Sequence, residues 1–511
     1  MNNFQLNEIP HMEDLLALHG RFDPQTLAKD HLTLVEREKT NNKIISSLEK
    51  AIELSGLENG MTISFHHHFR GGDKVVNLVL DTLAQMGFRD LVIAPSSLTD
   101  CHAPLVGHIK NGVIRRIETS GLRGELAEAV SGGLMDEPVV FRSHGGRAFA
   151  IETKELPIDV AFLGAPSCDP YGNANGYIRE YDQGIMCGAM GYAKCDAQHA
   201  KKTVILTDHI APYPNVPFAI SETDVDYIVV VDEIGDPQGI MGGATRYTTN
   251  PKELLIAWNC AEVIEASGRF QDGWSFQLGS GGASLAVARY LRERMLAQKI
   301  TARFALGGIT GQIAEMHTEG LVKRILDVQS FDLTAARSLR DQRFHQQISA
   351  SYYASPGNEG TAVNQLDVVV LSALEIDTQF NVNVLTGSDG VIRGAIGGHP
   401  DTAAGASVSI VVAPLIRGRI PTVVERVGTI VTPGRSVDIL VTDHGVAVNP
   451  NRPLLREQLE RQGIAVLTIE TLCQKALSIV GQAKPIGYTD KIVGVVAYRD
   501  NSVIDVIRQV K

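Results

Sequence analysis

"VVVLSALEIDTQFNVN" occupies residues 368–383, and residues 160–175 read "VAFLGAPSCDPYGNAN". Set without a gap, Ile158–Asn175 falls on Leu366–Asn383 at an offset of 208 residues. Asp159, Val160, Leu163, Ala165, Asp169, Asn173 and Asn175 meet Asp367, Val368, Leu371, Ala373, Asp377, Asn381 and Asn383, seven of eighteen positions. Each copy opens with a short apolar run, which reads as a buried strand. Each then enters an Asp/Asn-rich turn, where side chains can bond their own backbone.

The likeness extends outward. "NGMTISFHHHFRGGD" (59–73) resembles "DGWSFQLGSGGA" (272–283), and "TTNP" (248–251) resembles "AVNP" (447–450). Both longer stretches give a strand, a Gly-rich turn and an apolar helix. In the first copy Val76, Val79, Leu80 and Leu83 hold helical spacing. The period is far longer than that of a solenoid, so duplication of a whole domain is expected. The boundary falls near "EASGRFQDG" (265–273). Strands alternate with helical segments, which implies α/β halves with mainly parallel sheets. The division is residues 1–58 as an N-terminal helical extension, 59–265 as domain 1 and 266–511 as domain 2. Ile44, Ile45, Leu48 and Ile52 suggest a helix ended by Gly56. "KIVGVVAYRDNSVIDVIRQV" (491–510) reads as two strands about a polar turn.

Composition narrows the function. Of 511 residues, 44% are hydrophobic and 21% charged, the balance of a soluble globular protein. A net charge of −11 argues against general binding to nucleic acid or an anionic membrane. Any anionic ligand must then be met by local Arg or backbone N–H groups. No apolar run approaches bilayer length, and the first twenty residues lack the pattern of a signal peptide. Six cysteines show no framework spacing. A cytoplasmic protein with reduced thiols is the expectation.

In open α/β sheets ligands gather beyond the carboxyl ends of the strands. The Gly-rich turns belong there, where free N–H groups and a helix dipole can hold an anion or oxyanion. They are Gly71 and Gly72; Gly279, Gly281 and Gly282; "GGATR" (242–246); Gly307 and Gly308; and Gly397 and Gly398. Gly also serves tight turns and close packing. The first copy's loop is three residues longer and carries His66, His67 and His68. Adjacent residues on an extended chain face opposite ways, and no nearby carboxylate or Cys has ligand spacing. These histidines are therefore candidates for donating to a carboxylate rather than for holding metal. Arg70 and Arg246 adjoin glycines, and their forked guanidinium groups suit carboxylates; surface ion pairs are the plainer alternative. Glu375 stands where the first copy has Ser167 and is a candidate nucleophile or base, or a solvated turn carboxylate.

The two repeats resemble the halves of coenzyme A transferases. "SFHHHFRGGD" (64–73), "SSLTDCHAPL" (96–105), "FALGGITG" (304–311), "ALEIDTQFNVNVLTGSDG" (373–390) and "VAPLIRGRIPT" (412–422) resemble, within them, the citrate lyase alpha chains. The likeness runs from about residue 40 to the end of the chain. It implies two tandem CoA-transferase-like domains, and exchange of an acetyl thioester for citrate with release of acetate. The thiol carrier would be acetyl-CoA or the pantetheine-type arm of an acyl carrier protein, with no cofactor tightly bound to this chain. It implies a beta chain and a gamma acyl-carrier chain as partners in an oligomeric complex. The divalent metal of the overall reaction would lie on the beta chain and none here. On this basis Gly71, Gly72, Gly307, Gly308 and Glu375 are the candidate catalytic residues. His66, His67, His68, Arg70, Arg246, Asn381 and Asn383 are candidates for the acid, and Gly279, Gly281, Gly282, Gly397 and Gly398 for the thiol carrier.

One departure bears on mechanism. Covalent transferases end a strand in S-E-N-G, and that Glu attacks the thioester. Here Ala305-Leu306-Gly307-Gly308 takes its place, with no acidic residue between Glu293 and Glu315. Direct attack by the citrate carboxylate is the expected route. The alternatives are a citramalate lyase alpha chain, a covalent transferase using Glu375, and a non-catalytic assembly subunit.

Overall fold

A strand covered on both faces has no reason to alternate polar with apolar residues. In the computed structural model, every residue of β2 (Thr62–His66), β3 (Leu91–Pro95) and β6 (Val160–Gly164) is buried. The structure describes residues 42–66, 68–179, 186–241, 248–482 and 485–511, with Asp14 and Ala17. The chain divides into two units, Met1–Lys43 and Ile44–Lys511, and both sheets belong to the second.

Around these three strands run β1 (Ile44–Ile45), β4 (Ile114–Thr119), β5 (Val139–Phe141), β7 (Lys202–Thr207) and β8 (Tyr227–Val230). A second sheet is built on β9 (Trp274–Leu278), β10 (Ala302–Ile309), β11 (Ile325–Ser330), β12 (His345–Gln347), β13 (Val368–Ser372), β14 (Val408–Val412), β15 (Ile439–Thr442), β16 (Gly445–Val448) and β17 (Val466–Leu467). The chain ends in β18 (Tyr488–Ala497) and β19 (Val503–Val510). The first sheet runs β1-β8-β7-β6-β2-β3-β4-β5-β18-β19, and the second β17-β16-β15-β14-β13-β9-β10-β11-β12. From β8 to β5 and from β15 to β12 the orders coincide strand for strand. All pairs are parallel except β15–β16 and β18–β19.

The residues shared by the two repeats do the same structural work twice. Asp159 accepts a hydrogen bond from Thr62 N at 2.8 Å, and Asp367 accepts one from Ser275 N at 2.9 Å. Each thereby pins the repeated strand to its neighbour. Asp169 gathers the N–H groups of Tyr171, Gly172 and Asn173, and Asp377 those of Gln379 and Asn381. Both close an Asx turn. Gly172 (φ 111°) and Phe380 (φ 64°) stand at equivalent places in the left-handed region; the second copy tolerates there what normally favours glycine.

Two expectations shift. Ile44 and Ile45 are not helical but extend the first sheet beside Ile228 and Val229. Ser47 starts the first helix, α1 (Leu48–Ser55), by accepting from Lys50 N, and Gly56 ends it at φ 68°. The expected C-terminal hairpin is present, yet β18 pairs with β5, so residues 488–510 complete the first sheet rather than the second. The helix after β2, α2 (Val75–Gln85), forms as spaced, with Val76, Val79, Leu80 and Leu83 buried.

The sheets are joined by backbone. Ile396 N donates to Ser120 O at 2.7 Å, Leu122 N to Gly394 O at 3.2 Å and His144 N to Gly397 O at 3.0 Å. Gly121 faces Ala395 so closely that a Cβ on it would lie 2.3 Å from the alanine Cβ. Gly121→Ala should therefore destabilise the protein by about 1–3 kcal/mol, as overpacking does. Gly107→Ala, in a helix with nothing within 4 Å, should be neutral or slightly stabilising. Urea melts of both variants measure the difference; equal stability would remove the close approach at Gly121.

Candidate active site

The carboxyl ends of the strands in both sheets open onto one cavity of about 480 Å³, within the range of small-molecule sites. From the first half it takes Arg70, Arg123, His144 and Tyr192, and from the second the 279–283 turn, Gly308, Gln329 and Arg417, among others.

The wall is cationic in an acidic protein. Arg70, Arg123, Arg393 and Arg417 line it, with Glu253 the one acidic residue among the described lining. Burial, and then the charge of Arg123, lowers the Arg70 guanidinium to about 10. Burial likewise lowers Arg123 and Arg417. Arg70 donates to Ile240 O at 3.1 Å and lies 4.8 Å from the Phe331 ring centroid. Arg417 is fixed to the end of β13 through the carbonyls of Ala373 and Leu374. Arg393 is partly neutralised by Asp389. A guanidinium group held down by burial and by a neighbouring cation gains from a bound polyanion, which relieves the repulsion.

Gly279–Ala283 forms the turn into α3 (Gly282–Gln298), a 17-residue helix whose N-cap, Gly281, offers no side-chain hydrogen bond. The first-turn N–H groups and the helix dipole thus favour an anion or a developing oxyanion at the cavity. Gly281 is required by packing too: a Cβ there would fall 2.2 Å from Ser372 Oγ.

The sequence candidates separate. Arg70, Gly279, Gly281, Gly282, Gly308, Gly397 and Gly398 lie on the wall. Gly71 and Gly72 do not line it; they pack against the 236–239 turn, where a Cβ on Gly72 would lie 2.1 Å from Asp236 O. Gly307 (φ 101°) sits behind the wall against the Gln277 side chain. Glu375 is also off the wall, accepting from Asn383 Nδ2 at 2.8 Å and Gly428 N at 3.0 Å. Asn383 further donates to Thr386 O, and Asn381 ties Asp377 to Gly434 N. Both asparagines hold turns, since their polar atoms are spent on the chain itself. Arg246 and His67 lie outside the described residues.

His66 and His68 are each 2% exposed and stand behind the wall. His66 Nδ1 is 2.6 Å from Ser96 Oγ, and His68 Nδ1 is 3.0 Å from His66 O. Their rings continue through Tyr192 to His144, with centroid separations of 4.3, 5.0 and 4.5 Å. Burial holds His68 near 3; burial and then Arg147 hold His144 near 3, so both are neutral at ordinary pH. The inserted loop therefore supports Tyr192 from behind. A separate trio, Glu152, Cys195 and His199, brings possible metal-ligand atoms within 4.8 Å of one another, but burial keeps the Cys195 thiol protonated and Ser355 already bonds Glu152.

Sequence reading missed Arg123, His144, Tyr192, Gln277, Gln329, Arg393 and Arg417. His144 carried a signal, since it precedes the Gly145–Gly146 pair. Arg417 lies inside "VAPLIRGRIPT". Gln277 and Gln329 carried none, because each sits in a strand that reads as core.

The model of the family "Citrate lyase, alpha subunit (CitF)" matches residues 41–510. The citrate lyase alpha chain of Klebsiella pneumoniae is 59% identical over 484 residues, 95% of this chain and 94% of that one. That of Escherichia coli is 58% identical, covering 92% of each. A Streptococcus mutans structure described as a citrate lyase alpha subunit in complex with citrate has TM-score 0.89 and 57% identity, covering 93% of this chain and 92% of that one. A malonate decarboxylase alpha subunit from Acinetobacter baumannii shares the fold alone, at TM-score 0.63 and 15% identity over 87% of this chain and 93% of that one. With a family match across nearly its whole length, the chain belongs to the citrate lyase alpha subunits.

Proposed function

We propose that this chain exchanges the acetyl group of an acyl-carrier thioester, or of acetyl-CoA, for citrate, giving citryl thioester and acetate. The observation that carries this reading is one cavity with a cluster of guanidinium groups and the uncapped start of a 17-residue helix. The guanidinium groups suit a tricarboxylate, and the helix start suits a thioester carbonyl becoming an oxyanion. The Streptococcus mutans structure, described as a complex with citrate, supports the choice of acid. The matched strand orders and paired Asp bonds support internal duplication as the origin of two sheets that can share a site.

The chemistry is direct. A citrate carboxylate attacks the acetyl carbonyl, the C–S bond breaks, and a mixed anhydride and a thiolate form. The thiolate then attacks the citryl carbonyl, the C–O bond breaks, and acetate leaves. Both nucleophiles are anions, so no strong base is required. Holding the partners in line can supply about 7–11 kcal/mol, and one oxyanion donor about 2.7–4 kcal/mol. The place of that glutamate is taken by buried Leu306, and Glu375 bonds within its own turn; Glu253, the one carboxylate among the described lining, stands on the Pro251–Ala266 helix and not at that strand end. As a member of a multi-subunit enzyme family, the chain would hand the citryl thioester to a beta chain, with a gamma chain as carrier. It would bind no tight cofactor and no metal of its own.

The isolated chain, given acetyl-CoA and labelled citrate with no added metal, should release acetate and form citryl-CoA, identified by mass. No citryl-CoA, or activity abolished by a chelator and restored by a divalent ion, would contradict the reading. Arg70→Ala and Arg123→Ala should each raise the citrate KM by about ten-fold or more, leaving acetyl-CoA binding nearly intact; equal losses for both substrates would take the guanidinium pair out of the acid subsite. Glu375→Gln should retain exchange within about three-fold, because a neutral amide still fills the turn. A borohydride-reducible thioester on Glu375 would establish the covalent route instead.

A further inference from the structure

Three neighbouring strands place a row of neutral groups at one corner of the cavity. Gly308 of β10 pairs with Gln329 of β11, just past an irregularity between Gly307 and Gly308. On the other side, the Gln277 side chain of β9 packs on Gly307. Such a bulge re-aims the residues that follow it, and here it brings Gly308 and Gln329 to the wall. The two amides are not equivalent. Gln277 Nε2 donates to Tyr353 OH at 3.0 Å. Gln329 is only 8% exposed, and its buried Nε2 has no hydrogen-bond partner among the described residues. A buried amide donor is seldom left unpaired, and Gln329 is one of the residues lining the cavity, so a small turn of its side-chain amide would bring the donor to a ligand there.

Its surroundings select the partner. Leu278, Val328 and Phe331 also line the cavity, and a neutral amide offers a carboxylate no charge of its own to pair with, which the guanidinium groups do. The carboxylates have the guanidinium groups. A neutral carbonyl oxygen suits the amide, and gains from it as negative charge develops there. Resting on the acyl-exchange reading, we infer that Gln329 donates to the carbonyl oxygen of the acyl thioester and is a specificity and catalytic residue for the acyl group rather than for the acid's carboxylates.

The test uses the whole chain with acetyl-CoA carrying ¹³C at the carbonyl. In the wild type the bound carbonyl stretch should lie below that of free acetyl-CoA. In Gln329→Leu it should return toward the free value, kcat for exchange with citrate should fall about 100-fold, and the citrate KM should stay within about two-fold. Gln329→Met, unbranched and also without a donor, carries the test if the leucine variant does not fold. An unchanged carbonyl band in either folded variant, or a raised citrate KM with kcat intact, overturns the assignment. The underlying exchange reading fails separately, as absence of citryl-CoA from the wild type while the band shift and its loss in the variants persist.

Discussion

The site exists because two sheets are stitched together by backbone along residues 120–122 and 394–397. Two interstrand-like hydrogen bonds cross that seam and a third runs beside it from His144 N to Gly397 O, and buried Asp401 reinforces it by accepting from Ser143 Oγ and Gly145 N, both at 2.9 Å. Backbone bonds of this kind fix register to within a fraction of a residue, which side-chain packing alone does not. Gly121 permits the approach, and Gly397 then sits against His144. Without the seam, Arg70 and Arg123 would face solvent as ordinary surface cations, and the start of α3 would have no opposite wall.

Once the wall is closed, burial sets the electrostatics. The arginines lose water and gain from a polyanion, while the imidazoles of His68 and His144 stay neutral and add no competing cation. The bidentate Arg147–Asp196 pair, at 2.6 and 2.7 Å, ties the helix beginning at His144 to the helix carrying Tyr192. Breaking one partner of such a buried pair typically costs about 3–5 kcal/mol, so both wall residues are held on a stiff support. Arg70, Arg123 and their neutral support thus come from the first half, and Arg393 and Arg417 are added from the second.

The repeat made the strand pattern legible, because buried parallel strands read as apolar runs and their Asp/Asn turns recur at fixed spacing. It also misled. Asp377, Asn381 and Asn383 match their counterparts because a turn needs them, and that likeness drew attention away from ligand-facing groups. Gly71 and Gly72 looked like an anion cradle, yet they answer to the 236–239 turn, a contact between segments far apart in sequence. Gly281 and Gly308 looked the same and do line the cavity. Gln277 and Gln329 were hidden because a strand register decides which way a residue faces, and a local irregularity at Gly307–Gly308 decides it here.

Direct transfer within a single cavity is the central claim, and the fate of oxygen tests it most directly. Enzyme in excess of acetyl-CoA is allowed one turnover with citrate carrying ¹⁸O in its carboxylates, and the released acetate is weighed. When a citrate carboxylate attacks the acetyl carbonyl, the bridging oxygen of the mixed anhydride leaves with acetate. The account predicts one ¹⁸O in the acetate of the first turnover. Unlabelled acetate, with ¹⁸O retained on a carboxylate of the protein, would contradict it.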